Sequence, residues 1–571
     1  MDSRGHGKES ACWRGYKSRR SPVYGRKGMV AASQPLAVEI GLNVLRRGGN
    51  AVDAAVATAA ALNVVEPCST GLGGDCFMLF YESKTKRVHA INGSGRAPSA
   101  LSLRQLREAL GMKAGDAFPD SRDPRAVTVP GTAQGWEDAI SRFGTWSLSD
   151  VLKPAIDLAE TGFPVSPLTS HFWEQGAPLI RRANDKTGAQ ELLVVDECAS
   201  EHLRAPRPGE IFKNPHLASV FRDLGDRGAR KGFYCGRAGH AIVDALKSRG
   251  AAMELSDLQD HQSSFPEPIR TRYRGVDIFE HPPNGQGLAA LLAFSVLEGI
   301  DIEGAPTSAQ RLHVLIESLR LAFADARRFI TDADVGATSK PAFVRALLDP
   351  AYAASRRKQI DPSRARADVR EGTPLASSDT VSFQVVDGDG NAVSFVNSNY
   401  MGFGTGIIPK GTGFTLQNRG ANFSLDHEHP NCYRPGKRPY HTIIPGMALF
   451  PNGELFCSFT NMGGFMQPQG HVQVISNMLD HGMDPQAAVD APRFCITDGT
   501  SGGTIEFETG ISSKTIATLK RMGHNVVDEP IKGHARSVFG RAQIIVRDRK
   551  TGVLCGGSDS RADGCAMGLT L

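Results

Sequence analysis

The chain has 571 residues and a mass of 61.2 kDa, more than one hydrophobic core accommodates, so two or more packed layers or domains are expected. Its formal charge of +5 is concentrated in residues 1–27, where eight Lys or Arg face Asp2 and Glu9, a local +6 that leaves the remainder near −1. A near-neutral body gives no reason to expect a nucleic-acid or membrane partner, and no run approaches the roughly 20 apolar residues that span a bilayer.

Residues 1–27 read as a basic, disordered leader rather than a targeting signal, because two acids interrupt it and neither an amphipathic period nor an apolar core follows. The protein is therefore expected to be soluble and cytoplasmic. Its ten cysteines (Cys12, Cys68, Cys76, Cys198, Cys235, Cys432, Cys457, Cys495, Cys555 and Cys565) form no C-x-x-C pair and no metal-like spacing with histidine, so reduced thiols are expected.

Ser33 and Pro35 start a helix carrying Leu36, Ile40, Val44 and Leu45, and Gly48-Gly49 stops it. Asn50 caps a second, alanine-rich helix from Ala51 to Val65 that is apolar on nearly every face and is expected to lie buried between layers. Gly71-Leu72-Gly73-Gly74-Asp75 then leads into a strand from Phe77 to Tyr81. Those glycines follow a helix and precede a strand, the reverse of a dinucleotide fingerprint. Ala126 to Val129 reads as a strand closed by Pro130-Gly131, with a helix beyond Gln134. Lys186 to Arg237 is charged and irregular and yields no assignment. Pro282-Pro283-Asn284-Gly285-Gln286-Gly287 is a loop before a helix, and Leu312, Ile316, Leu319 and Phe323 mark a long helix.

A polar segment with Pro362 and Pro374 reads as an exposed loop, and it delivers the chain to Ser377-Ser378-Asp379-Thr380. Val381, Phe383 and Val385 alternate with Ser382 and Gln384, the period of a half-buried strand. The run from Asp387 to Asn391 turns it into a second strand through Phe395, a β-hairpin. Asp387, Asp389 and Asn391 imitate a calcium loop, but Ala392 stands where the turn glycine belongs and Ser398 where the bidentate acid belongs. Gly402 to Gly406 lacks the Lys-Ser or Lys-Thr of a phosphate loop. The last third is strand-rich with one helix near His471 to Leu479. Taken alone, Thr380 is an ordinary β-branched strand residue.

The Gly71–Asp75 loop, Val129-Pro130-Gly131-Thr132, Pro282–Gly287, Asp379-Thr380 with its hairpin, Phe403-Gly404-Thr405-Gly406, Lys437-Arg438-Pro439, Gly463-Gly464, Ala491-Pro492-Arg493-Phe494 and Ser558-Asp559 together closely resemble the γ-glutamyltransferase (glutathione hydrolase) family of N-terminal-nucleophile hydrolases. The resemblance implies an α+β fold, the four-layer αββα sandwich. It also implies a proenzyme that cuts itself between Asp379 and Thr380, into a large portion (28–379 after the leader) and a small portion (380–571) that stay together. A threonine hydroxyl needs a base beside it, and cleavage supplies one in the new α-amine. The freed Thr380 would then form an acyl-enzyme from a γ-glutamyl amide, glutathione by default, and pass it to water or an amine acceptor. By the same resemblance Gly463 and Gly464 form the oxyanion hole and Ser398 hydrogen-bonds near the nucleophile. No metal or organic cofactor is implied.

The chain departs from the family where the γ-glutamyl head is held. Ser94 stands where an arginine takes the α-carboxylate, with Arg96 the nearest arginine; Tyr400 replaces an Asn, Arg419 a Gln, Asn422 an Asp, and His441-Thr442 a Ser-Ser pair. Arg96, Tyr400, Arg419, Asn422 and Thr442 are thus the candidate substrate-binding residues. An ammonium facing Arg419 without a local carboxylate is disfavoured, whereas a carboxylate suits the guanidinium fork. The segment from Asn422 to Lys437 is short for a covering lid. This pattern resembles the branch of YwrD-type hydrolases and glutaryl-cephalosporin acylases. Two alternatives stay open: a glutaryl-type amide acylase without α-amino recognition, and an uncleaved, non-catalytic binding protein. Arg419 as a plain ion-pair partner is also open.

Overall fold

The computed structural model of the protein describes residues 20–113, 116, 118, 120–302, 304–332, 342–366, 380–497, 499 and 502–570. Asp379, the loop with Pro374 and most of the leader lie outside the described residues. The elements that position the site are, in chain order, β1 (Val23–Gly25), β2 (Gly28–Ala32), α1 (Pro35–Arg46), α2 (Ala51–Val65), β3 (Asp75–Glu82) and β4 (Arg87–Gly93). Then come β5 (Ile269–Tyr273), β6 (Val276–Glu280), α3 (Gly287–Leu297), α4 (Ala309–Phe329), β7 (Val381–Val386) and β8 (Ala392–Ser398). The chain closes with β9 (Gly446–Leu449), β10 (Leu455–Met462), α5 (Met466–His481), β11 (Arg541–Arg547), β12 (Leu554–Ser558) and β13 (Cys565–Leu569).

Two antiparallel sheets result, ordered β13-β2-β7-β8-β3-β4 and β1-β12-β11-β10-β9-β6-β5. Three cores show how they stack. The first joins the alanine face of α2 and the α1 residues Val38 and Leu42 to Val381, Phe383, Val385 and Phe395 of the six-stranded sheet. The second joins α3, α4 and α5 to Ile278, Ala448, Phe459 and Ile544 of the seven-stranded sheet. Between the sheets lies the third, with Met29, Leu79 and Val386 against Met447, Ile545 and Leu554. The order is therefore helices, sheet, sheet, helices: the αββα sandwich.

The stacking corrects the half-buried reading of β7. Its polar residues Ser382 and Gln384 are as buried as its apolar ones, because the second sheet covers that face. Burial of an amide demands partners. Gln384 accordingly donates to Thr460 Oγ1 at 2.8 Å and accepts from the Ser458 hydroxyl.

The hairpin turn explains itself without calcium. Asp387 accepts from the N–H groups of Asp389 (3.0 Å) and Asn391 (2.9 Å), from the Asn391 amide (2.9 Å), and from Ala51 N at the start of α2 (3.0 Å). Its oxygens serve the turn and a helix N-terminus, where a carboxylate is favoured.

Two further expectations change. Val23–Gly25, placed in the leader, instead pairs antiparallel with β12, and Arg20 Nη1 donates to Gly564 O at 2.9 Å, so part of that basic segment belongs to the sandwich. Ala126 to Val129 is no strand: a 3-10 turn spans Pro124–Ala126, and beyond it Val129 N bonds Arg96 O (3.0 Å) while Thr128 O accepts from Gln417 Nε2 (3.1 Å). Side-chain and loop partners replace the ladder. In the unassigned stretch a helix forms at Pro215–Gly228. Among the described residues no disulfide joins any of the nine cysteines.

Candidate active site

Thr380 sits one residue before β7, where the first registered pair is Val381 with Asn397, so it falls opposite Ser398. Ser398 is in turn registered against Asp75, the first residue of β3. Three polar residues therefore share one row across three strands, and all three are fully buried. Side chains in such a row emerge on one face, within reach of one another.

The row is wired by hydrogen bonds. Thr380 Oγ1 lies 3.1 Å from Ser398 Oγ. Ser398 Oγ accepts from Tyr400 N at 2.9 Å and from Arg419 Nη2 at 3.2 Å. Arg419 Nη1 donates to Thr442 Oγ1 at 2.6 Å, and the guanidinium lies over the Tyr400 ring at 4.6 Å. Tyr400 adopts φ +77°, a left-handed conformation that costs a bulky residue energy and is held here by the Ser398 contact and the ring's position under the cation.

The network continues to the glycine pair. Gln286 Nε2 donates to Thr442 O (2.6 Å) and to Gly464 O (2.8 Å), while its Oε1 accepts from Tyr440 O–H (3.1 Å). Gly463 and Gly464 form the turn from β10 into α5 with φ of +119° and +57°. A Cβ on Gly463 would meet Gly540 Cα at 3.1 Å and Met466 Cβ at 3.4 Å. Glycine alone satisfies that backbone, and Gly463 is partly exposed, unlike Thr380, Ser398 and Arg419.

The charges beneath the row are unusual. Arg419 is fully buried, and burial pulls it down to about 10, opposed by the Asp75 carboxylate and Tyr400. Burial pushes Asp75 up to about 6, against the lowering pull of Arg419, the Gly95 and Gly131 N–H groups and Arg438. Asp75 Oδ1 accepts those two N–H bonds at 3.1 and 3.2 Å, and Oδ2 lies 3.1 Å from His441 Nε2. His441 is held well below its ordinary value by burial and by Arg419, so its ring is neutral. Its Nδ1 accepts from Ile443 N at 3.3 Å, which leaves the proton on Nε2 to donate to Asp75.

Of the candidate residues, the structure brings together Thr380, Ser398, Arg419, Tyr400 and Thr442, with Gly464 joined through Gln286. Asn422 lies beside the Tyr400 hydroxyl, and its backbone O accepts from Asn431 Nδ2 at 2.7 Å. Arg96 goes elsewhere: its Nη1 contacts Asp332 Oδ2 (3.3 Å) and Gly436 O (2.9 Å), and its side chain is about a third exposed. An available acid and carbonyl hold it there. The His441-Thr442 pair splits, His441 binding Asp75 and Thr442 binding Arg419. Ser94 Oγ accepts from Asn284 Nδ2 (3.1 Å) and its O from Arg438 Nε (2.8 Å). Asp75 and Gln286 were missed as site residues, although an acid closing a glycine loop and an amide in a Pro-Pro-Asn-Gly-Gln-Gly loop were both in view.

The gamma-glutamyltranspeptidase family model matches residues 37–569. The glutathione hydrolase-like YwrD proenzyme of Bacillus subtilis is 37% identical over 554 residues, spanning 96% of this chain and 99% of that relative. The oxamate amidohydrolase proenzyme of Klebsiella pneumoniae is 33% identical, spanning 95% of this chain and 98% of that one. The crystal structure of cephalosporin acylase from Bacillus halodurans superposes with a TM-score of 0.86 at 38% identity, covering 99% of this chain and 100% of that chain. With the family pattern running nearly end to end and relatives matched over their whole length, this chain belongs to the gamma-glutamyltranspeptidase family.

Proposed function

We propose that the chain is a self-cleaving proenzyme whose Thr380, once N-terminal, hydrolyses or transfers the acyl group of γ-glutamyl amides such as glutathione. One observation carries this reading: the Thr380 hydroxyl is buried on Ser398 in a hydrogen-bonded chain that ends at the Gly463-Gly464 turn.

In maturation Thr380 Oγ1 attacks the carbonyl of residue 379. The C–O bond forms, the C–N bond breaks, and the hydroxyl proton passes to the nitrogen, giving an ester and a free amine. Water then hydrolyses the ester and releases the hydroxyl. The amine, with an ordinary pKa of about 7.7 to 8, is the base for the second reaction. There Oγ1 attacks the substrate amide, the N–H groups of Gly463 and Gly464 receive the oxyanion, the leaving amine takes the proton, and water or an acceptor amine removes the acyl group.

The sheet order supports lasting association of the halves. Strands β7 and β8 of the small portion lie between β2 and β3 of the large one, so cleavage cuts the chain without separating the layers.

Intact mass of wild type beside Thr380→Ala tests the reading. Fragments 1–379 and 380–571 from wild type alone, with amine released from glutathione or a γ-glutamyl anilide, are expected. A single uncut chain in both samples, inert toward both substrates, would leave the non-catalytic alternative standing.

A further inference from the structure

Two motif segments, Ala491-Pro492-Arg493-Phe494 and Ser558-Asp559, have no part in the reaction as derived, yet they meet beside the Gly463-Gly464 turn. Arg493 is buried, and its Nη2 donates to Asp559 Oδ2 at 2.7 Å and to Val489 O at 2.8 Å. The carboxylate, itself buried, holds the guanidinium in one orientation. The other nitrogen, Nη1, is aimed at the turn. It donates to Asn461 Oδ1 at 2.9 Å, to Phe539 O at 3.0 Å and to Gly540 O at 3.3 Å. Gly540 is the residue whose Cα a methyl on Gly463 would meet, so the same guanidinium holds the wall against which Gly463 packs.

Asn461 passes the polarity on. Its Nδ2 donates to Met462 O at 3.1 Å and to Met466 O at 3.4 Å. These partners fix which way the amide points, since an arginine can only donate and a carbonyl only accept. Met462 O belongs to the same peptide group as the Gly463 N–H. From Arg493 through Asn461 to that peptide, every link therefore donates in one direction. Hydrogen bonds in series polarise one another by about 10 to 30% per bond, so the buried charge strengthens the Gly463 N–H as a donor. The Gly464 N–H has separate support, because Gly463 O in its own peptide accepts from Met466 N at 2.9 Å.

The slot admits this amide and little more. A Cβ on Gly540, whose φ is +71°, would overlap Met462 O and Asn461 Nδ2, and one on Gly470 would overlap the Asn461 amide. Two glycines thus make the room that the relay occupies.

Resting on Thr380 as the nucleophile and on the Gly463 N–H as an oxyanion donor, we propose that Asn461 and Arg493 are positioning residues of the reaction. Arg493 orients and polarises the Asn461 amide, which orients and polarises the Met462–Gly463 peptide. Neither touches the substrate. Their effect falls where the substrate oxygen is negative, in the transition state, and so on kcat rather than on KM.

The test measures kcat and KM for γ-glutamyl p-nitroanilide on processed wild type, Asn461→Ala, Arg493→Lys, Arg493→Met and the double variant Asn461→Ala/Arg493→Met. Each is accompanied by a melting curve and timed intact-mass spectra of its precursor. Asn461→Ala is expected to lower kcat about 10-fold or more while KM stays within about twofold. Arg493→Met lowers kcat alike, and Arg493→Lys, which keeps the charge, restores part of it. The double variant falls no more than about twofold below Asn461→Ala, because Arg493 acts through that amide. Should Arg493→Met not fold, Asn461→Ala and Arg493→Lys carry the comparison. Should a folded variant stay uncut, cleavage slowed about 10-fold or more in the mass spectra is the same effect read in the first reaction. Wild-type kcat in Asn461→Ala, a loss confined to KM, or losses that multiply in the double variant would overturn the relay and leave the hydrolase reading intact. No release of anilide by a correctly cleaved wild type would overturn both.

Discussion

Asp75 stands directly opposite Ser398 across the β3–β8 pair, which puts a buried carboxylate one strand away from the hydroxyl that touches Thr380. Neither residue is solvated, so each must be satisfied from inside. Asp75 does so with two backbone N–H groups and the neutral His441 ring, and Ser398 with Tyr400 N and the Arg419 fork. Arg419 and Asp75 are thus opposite charges held apart by a serine, close enough to shift each other without pairing.

The carboxylate should make stability pH-dependent. Its pKa is raised from 3.8 to about 6, so the fold favours the protonated acid. The stabilising contribution is therefore present below about pH 4 and lost as pH rises through 6, by roughly 3 kcal/mol at most. In uncut Thr380→Ala precursor, the urea midpoint should fall across this window relative to the same protein carrying Asp75→Asn. Parallel pH curves for the two proteins would show that Asp75 does not titrate there.

Gln286 is predicted to be indispensable to turnover although it need not touch substrate. Replacing it with Leu leaves the buried Thr442 carbonyl and the Tyr440 hydroxyl without these partners, at about 1 kcal/mol or more for each, and leaves the Gly464 carbonyl only the Gln467 N–H at 3.1 Å. The larger consequence is at the Gly463-Gly464 turn, proposed to receive the oxyanion, where loss of a positioned donor costs about 100-fold or more in kcat. Steady-state kinetics beside a melting curve separates the two effects. A variant with a lowered Tm but an unchanged kcat would reduce Gln286 to a packing residue.

How much of this was legible beforehand depends on sequence distance. The hairpin was readable because alternation and turn residues are local signals, Thr380 only through the family resemblance, and the buried α2 because its alanines admit no polar face. Asp75 was not, because its meaning arises only when β3 settles beside β8, more than three hundred positions later. Gln286 acquires its role only when its loop meets the strand-entry segment at Thr442 and the turn at Gly464. Alternation in β7 was read as one wet face, since a single strand carries no sign that a second sheet will cover it. Arg96 was proposed by proximity to Ser94, yet its side chain follows Asp332, a partner the local sequence does not announce.

Gly463→Ala should mature poorly. The φ of +119° lies outside what an L side chain adopts comfortably, and the new methyl would press on Gly540 Cα at 3.1 Å. Relaxation would move the N–H proposed to receive the developing oxyanion, so a soluble precursor with cleavage and amide hydrolysis slowed about 100-fold is expected. Timed intact-mass spectra of the precursor follow the first reaction and anilide release the second. Wild-type rates in both would remove Gly463 from the oxyanion site.

Tyr400 is predicted to set the alkaline limit of activity through Arg419. The guanidinium, pulled down to about 10 by burial, loses its proton within an accessible range, and with it both its charge and part of its donor set. The limb therefore falls as pH rises through 10. The Tyr400 ring, 4.6 Å from the cation, favours the charged form by about 0.5 to 2 kcal/mol. Tyr400→Phe keeps that face and should leave the limb in place. Tyr400→Leu removes it, and the limb should move to lower pH by about 0.4 to 1.5 units. A limb that stays put in the leucine variant would mean that the ring packs against Arg419 without stabilising its charge.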